Sequence, residues 1–78
     1  MLLNVPVSSK PNLRELPEVT ECVQSIEQEL APDGRVLLRY SGTEDLARVM
    51  VEGPDHERIQ QQAQQIAELI QNQIGVGA

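Results

Sequence analysis

Residues 35–52 read RVLLRYSGTEDLARVMVE, and the fold turns on how this stretch is read. Two runs rich in apolar and β-favouring residues, RVLLRY and LARVMVE, flank the short polar segment SGTED, which is the pattern of a β-hairpin. Ser41 and Thr43 bring hydroxyls to the turn. Gly42 can take a positive φ, which would let consecutive backbone N–H groups converge into an anion-binding concavity. Arg39 stands just before the turn and Arg48 just after it. Because a guanidinium is a planar fork of donors that matches phosphate or carboxylate, the arrangement reads as a small anion cradle. The plainer reading is an ordinary turn with solvated arginines, since Ser, Gly and Thr are common turn residues.

Charge distribution bears on that choice. The chain carries a net charge of −6, yet three of its six basic residues, Arg35, Arg39 and Arg48, fall in this segment. Only Glu44 and Asp45 oppose them between Arg35 and Arg48, so residues 35–48 are locally positive on an acidic body. Strand alternation puts Val36, Leu38 and Tyr40 on one face of the first strand, with Arg35, Leu37 and Arg39 on the other. In the second strand Ala47, Val49 and Val51 alternate with Arg48, Met50 and Glu52. Each strand therefore offers one mainly apolar face to a core. Alternation alone fixes neither the face nor the reach of Arg48 relative to the loop.

Outward from the hairpin, the first seven residues, MLLNVPV, form a β-prone run whose Pro6 suits a strand end or an edge. Residues 8–17 make a polar connector in which Pro11 and Pro17 discourage helix, while Leu13 and Leu16 tack it to the core. Lys10 and Arg14 lie on this connector and could approach an anion within a larger assembly. Val19, Cys22, Val23, Ile26 and Leu30 recur at helical spacing and predict a helix from about Pro17 to Leu30. Pro17 fits the first helical position, and Glu18 and Glu21 complement the positive end of the helix dipole. Ala31-Pro32-Asp33-Gly34 then breaks the helix.

After Gly53-Pro54-Asp55, a second helix is expected to reach about Gln73. Its apolar stripe is Ile59, Ala63, Ile66, Ala67, Ile70 and Ile74, and the six Gln between Gln60 and Gln71 are assigned to its wet face. The unbroken periodicity argues for a folded amphipathic helix over a low-complexity tract. His56 has no ligand-spaced partner and is expected to face solvent, and Gly75 to Ala78 are expected to fray. The resulting fold class is α+β, ordered β-α-β-β-α, with a small mostly antiparallel sheet and two helices on one face.

Composition limits what such a domain can do. At 78 residues the chain is one small domain, and without Phe or Trp its core must be aliphatic. A pI near 4.5 and a single aromatic residue argue against nucleic acid as a partner, because there is neither a basic footprint nor a stacking platform. No secretion signal or membrane-spanning run is visible, and Cys22 is alone, so a cytoplasmic location is the simple expectation. Asp33, Asp45 and Asp55 are scattered singly and compose no metal site. No nucleophile stands in a recognisable arrangement with a base.

The residues R-Y-S-G-T-E followed by L-A-R-V-M-V-E-G resemble the phosphate-binding loop of the α-D-phosphohexomutase superfamily, and within it most resemble the phosphoglucosamine mutases. The likeness covers nearly the entire chain, from LLNVPV to the last helix. It implies the TATA-box-binding-protein-like fold of the superfamily's C-terminal domain, with room for one further short strand that the sequence does not place. It also implies that residues 1–78 are a single phosphate-binding domain from a larger enzyme, inactive alone, in which Arg39, Ser41, Gly42 and Thr43 hold the phosphate of a phosphorylated hexose. Arg48 joins that set on spacing alone. The phosphoserine and magnesium of the reaction would belong to other domains of the parent enzyme, so no cofactor is expected in this chain. Two departures stand out: Asp45 occupies a position where the family usually has proline, and Tyr40 one where lysine or proline is usual. Asp45 frees an N–H, loosens the turn and adds a carboxylate that should weaken anion binding. The alternatives are a free-standing protein-interaction module, or the same domain of a phosphomannomutase or phosphoglucomutase.

Overall fold

The computed structural model describes residues 1–77. Its elements run β1 (Leu2–Pro6), a 3-10 turn (Leu13–Glu15), α1 (Pro17–Leu30), β2 (Arg35–Tyr40), β3 (Leu46–Glu52) and α2 (His56–Ile74). The three strands form an antiparallel sheet in the order β1-β3-β2, so the hairpin's second strand is central. This is the expected α+β order with both helices against one sheet face: α2 lies over β1 and β3, α1 lies over β2, and the helices touch each other.

Alternation sorts the residues as expected. Ala47, Val49 and Val51 are fully covered, and Val5 and Val36 join them from the flanking strands. From α2, Ile59, Ala63, Ile66, Ile70 and Ile74 close the core, and α1 adds Val19, Ile26 and Leu30. α1 begins with Pro17 and has no side-chain cap at Leu16, whereas α2 is capped by Asp55, whose carboxylate accepts from Arg58 N at 3.2 Å. At the exit of α1 the chain runs so close to β3 that a Cβ on Gly34 would meet the carbonyl oxygen of Glu52, and only glycine fits there.

Three features differ from the expectations. The connector is not wholly irregular: Asn12 accepts from Arg14 N and starts a 3-10 turn, with Leu13 and Leu16 packed against the core. The end of the chain does not fray at Gly75, which is buried and bridges Val7 in antiparallel fashion, with Ser8 N bonded to Ile74 O at 2.8 Å and Val76 N to Pro6 O at 3.2 Å. Those bonds tie the tail to the last residue of β1 and the two residues after it, and the sheet of the described residues has three strands without a further one. Ala78 lies outside the described residues. Finally, Gln62 belongs to the interior rather than the wet face: it is buried where α2 meets α1, donating to Glu29 Oε2 at 3.0 Å. A glutamine tract reads as uniformly polar by composition, but the position one before Ala63 points at the helix–helix seam.

Candidate functional site

The loop between β2 and β3 is closed by a bond from Ser41 N to Leu46 O at 2.8 Å, which fixes the register of the whole hairpin. Ser41 is buried, and its hydroxyl oxygen accepts from Thr43 N at 3.4 Å and Glu44 N at 3.3 Å. The serine thus folds the loop over itself, gathering two backbone donors around one oxygen. Gly42 does not take the left-handed conformation allowed by its sequence, because this hydroxyl-centred turn does not require it. A Cβ at Gly42 would meet nothing, so the backbone there faces open space from which a ligand can reach it. Gly42 and Thr43 are both exposed.

Register then decides the arginines. Arg39 on β2 is directly opposite Arg48 on β3, and Asn4 on β1 is opposite Arg48 from the other side. Both guanidiniums therefore rise from the open face of the sheet, one row from the loop. Neither is among the ion pairs of the described residues, which are Lys10–Asp45, Arg35–Glu52 and Arg58–Glu29. Arg48 Nε is sealed from solvent without a hydrogen-bond partner. Two like charges placed opposite each other on adjacent strands are mutually destabilising, and an anion between them would reverse the sign of that interaction. A recess of about 210 Å³ opens beside them, lined by Leu2, Leu37, Leu38, Arg39, Arg48 and Met50.

Lys10 is the residue whose place the sequence did not fix. Its Nζ donates to the carbonyl oxygen of Ser41 at 3.0 Å and lies 3.9 Å from Asp45 Oδ1. It reaches the loop because the Tyr40 hydroxyl donates to the Pro11 carbonyl and ties the connector to the end of β2. Burial pushes the Tyr40 phenol up, keeping it a neutral donor. Nothing in the spacing of residues 8–17 announces this contact. The opposition of Arg39 and Arg48, by contrast, follows from the sequence once the loop is taken to close at Ser41 and Leu46, because counting back two residues on one strand and forward two on the other pairs them.

Other parts of the surface have different chemistry. A larger recess of about 570 Å³ lies between α1 and α2, where Glu18, Glu21 and Glu29 make it hostile to anions. Cys22 is half-buried there and its thiol is pushed up by burial, as suits a packing residue more than a nucleophile. His56 is exposed at the start of α2. Among the described residues no three or more of His, Cys, Asp and Glu come together as a metal site. No helix among them is long and apolar enough to cross a membrane.

Comparison with known proteins gives the family. The family described as "Phosphoglucomutase/phosphomannomutase, C-terminal domain" matches residues 2–69. The phosphoglucosamine mutase of Protochlamydia amoebophila is 49% identical over 74 residues, covering 95% of this chain and 16% of that protein. Those of Syntrophotalea carbinolica and Koribacter versatilis are each 46% identical over 76 residues, covering 97% of this chain and 17% and 16% of theirs. The chain thus spans about a sixth of the length of these relatives. With a family match across most of its length, including both strands of the hairpin and the loop between them, the chain belongs to the phosphoglucomutase/phosphomannomutase family and corresponds to its C-terminal domain.

Proposed function

We propose that this domain is the phosphate clamp of a phosphohexomutase, an isomerase that moves a phosphoryl group within a hexose, and that its substrate is glucosamine phosphate. The observation that carries the reading is the opposed pair Arg39 and Arg48, without acidic partners among the described residues, one row from a loop that exposes Gly42 and Thr43. In this reading Arg39 and Arg48 supply charge-assisted donors, Ser41 shapes the loop, and Gly42 and Thr43 offer backbone and hydroxyl donors to the phosphate oxygens. Holding the distal phosphate orients the reacting hydroxyl, and orientation of this kind contributes up to about 7–11 kcal/mol in ideal cases. The glucosamine assignment rests on the names of the relatives, and the proposal extends it to a role in cell-wall precursor synthesis in the cytoplasm.

Residues 1–78 act in this proposal as one domain of a longer enzyme whose other domains supply the reacting groups. Magnesium is the metal such an enzyme would use to stabilise phosphoryl charge, and the described residues of this chain do not fit it, since no carboxylate cluster is present. No step of the clamp involves the metal.

A second reading is a protein-interaction module. It is favoured by the row Leu2, Met50 and Leu37, which crosses the open face of the sheet in register, with Leu2 and Leu37 exposed. An amide NMR titration separates the two readings. Glucosamine 6-phosphate and inorganic phosphate should produce saturable shifts at residues 39–44 and 48, and unphosphorylated glucosamine should not. Equal responses to the sugar with and without phosphate would sink the clamp.

A further inference from the structure

We propose that Lys10 is an additional phosphate ligand of the loop, held beside it by backbone tethers and balanced by Asp45; this rests on the phosphate-clamp reading. The connector that carries Lys10 is bonded at both ends of the hairpin loop. On one side Val7 N donates to Asp45 O at 2.9 Å, and on the other the Tyr40 hydroxyl donates to Pro11 O. Lys10 lies between those anchors, so its stem starts next to the loop.

The ammonium itself is under-used. It has three N–H donors, of which one meets Ser41 O at 3.0 Å. Asp45 Oδ1, at 3.9 Å, is beyond hydrogen-bond distance and belongs to a side chain that is 89% exposed. Such an ion pair contributes little to stability and exchanges readily. Lys10 is better covered, its side chain being 34% exposed, so its charge is less screened than that of its partner. A phosphate monoester dianion entering over Gly42 would present more charge and more acceptors than one solvated carboxylate. The two free donors can then turn from Asp45 to the phosphate while the third remains on Ser41 O. Asp45 is the counter-charge in the empty loop and a competitor in the filled one.

Lys10 is the sole lysine of the chain, which makes the test direct. Inorganic phosphate and glucosamine 6-phosphate are titrated into the 78-residue chain while the backbone amides and the side-chain ammonium resonance of Lys10 are followed by NMR. The ammonium resonance should move with the same saturation curve as the loop amides. Lys10→Met should weaken binding about tenfold, and Lys10→Arg should restore most of it. Asp45→Asn should strengthen binding severalfold in the presence of Lys10 and much less in the Lys10→Met background. An unmoved ammonium resonance with saturated loop amides, or Lys10→Met binding within twofold of the parent, would overturn the role of Lys10 and leave the clamp intact. No saturable shift at residues 39–44 in the parent chain would remove the clamp, and the role of Lys10 with it.

Discussion

Along β3 the covered residues Ala47, Val49 and Val51 alternate with Arg48 and Met50, which stand on the face that no helix covers. One strand thus serves two surfaces with opposite demands. The covered face meets α2 through close-packed aliphatic side chains, and its chemistry is indifferent to charge or ligand. The open face holds two arginines opposite each other, an arrangement of like charges that does nothing for stability and that an anion between them would relieve. Pleating allows this separation, because successive residues point to opposite sides and can be selected independently. Stability and binding should therefore respond to different substitutions.

The largest expected effect lies on the covered face. Ile66, fully buried, sits where α2 crosses the sheet, and Ile66→Ala should cost roughly 2–5 kcal/mol, read as a fall in the urea midpoint at unchanged slope. In a domain this small such a loss approaches the whole stability. A loss below about 1 kcal/mol would mean that the site collapses around the deletion and that the face is less tightly packed than its burial implies.

The next effect lies on the open face and should leave stability alone. Arg39→Ala should reduce phosphate affinity at least about tenfold, the loss of a charge-assisted bond, while the melting temperature stays level or rises slightly as the repulsion with Arg48 disappears. If Arg39→Ala lowered the melting temperature as Ile66→Ala does, the division of labour between the faces would be wrong.

The smallest effect sharpens the comparison from outside the sheet. Arg58, first by its hydrogen bond to Glu29 and then by its charge, holds the Glu29 carboxyl below its ordinary value, with a further hydrogen bond from Gln62 and burial working the other way. A carboxyl depressed in the folded state contributes stability that is complete above its unfolded pKa and is lost as pH falls through the folded one. Acidification through and below the ordinary carboxylate range should therefore destabilise the parent chain more steeply than Glu29→Gln. Because both side chains are about half exposed, at 50% and 46%, the difference should shrink in salt. Phosphate binding at residues 39–44 should be the same in both proteins, and a difference there would tie the helix seam to the loop.

Much of this is legible in the sequence. The stripes of α1 and α2, the hairpin, and the sorting of the strand faces all follow from periodicity, since each is a local rule acting within one element. SGTED is legible as a turn, though its mechanics are not: Ser41 rather than Gly42 organises the loop, because a hydroxyl that collects two N–H groups makes a positive φ unnecessary. Gln62 was misassigned because composition cannot say which glutamine of a tract faces a neighbouring helix. The end of the chain was misassigned because pairing of Gly75 with Val7 joins segments at opposite ends of the sequence.

By itself, then, the sequence determined the elements, the aliphatic core and the hairpin with arginines on either side of its turn, all of which depend on neighbours within a few residues. Tertiary structure alone decided that Lys10 meets Ser41, that residues 74–76 bond to the chain at the end of β1, and that Arg48 Nε is sealed without a partner. These are contacts between residues far apart in the chain, set by how the packed elements bring loop, connector and tail to one end of the sheet. No local preference encodes such a meeting, because its energy exists only once the core has formed.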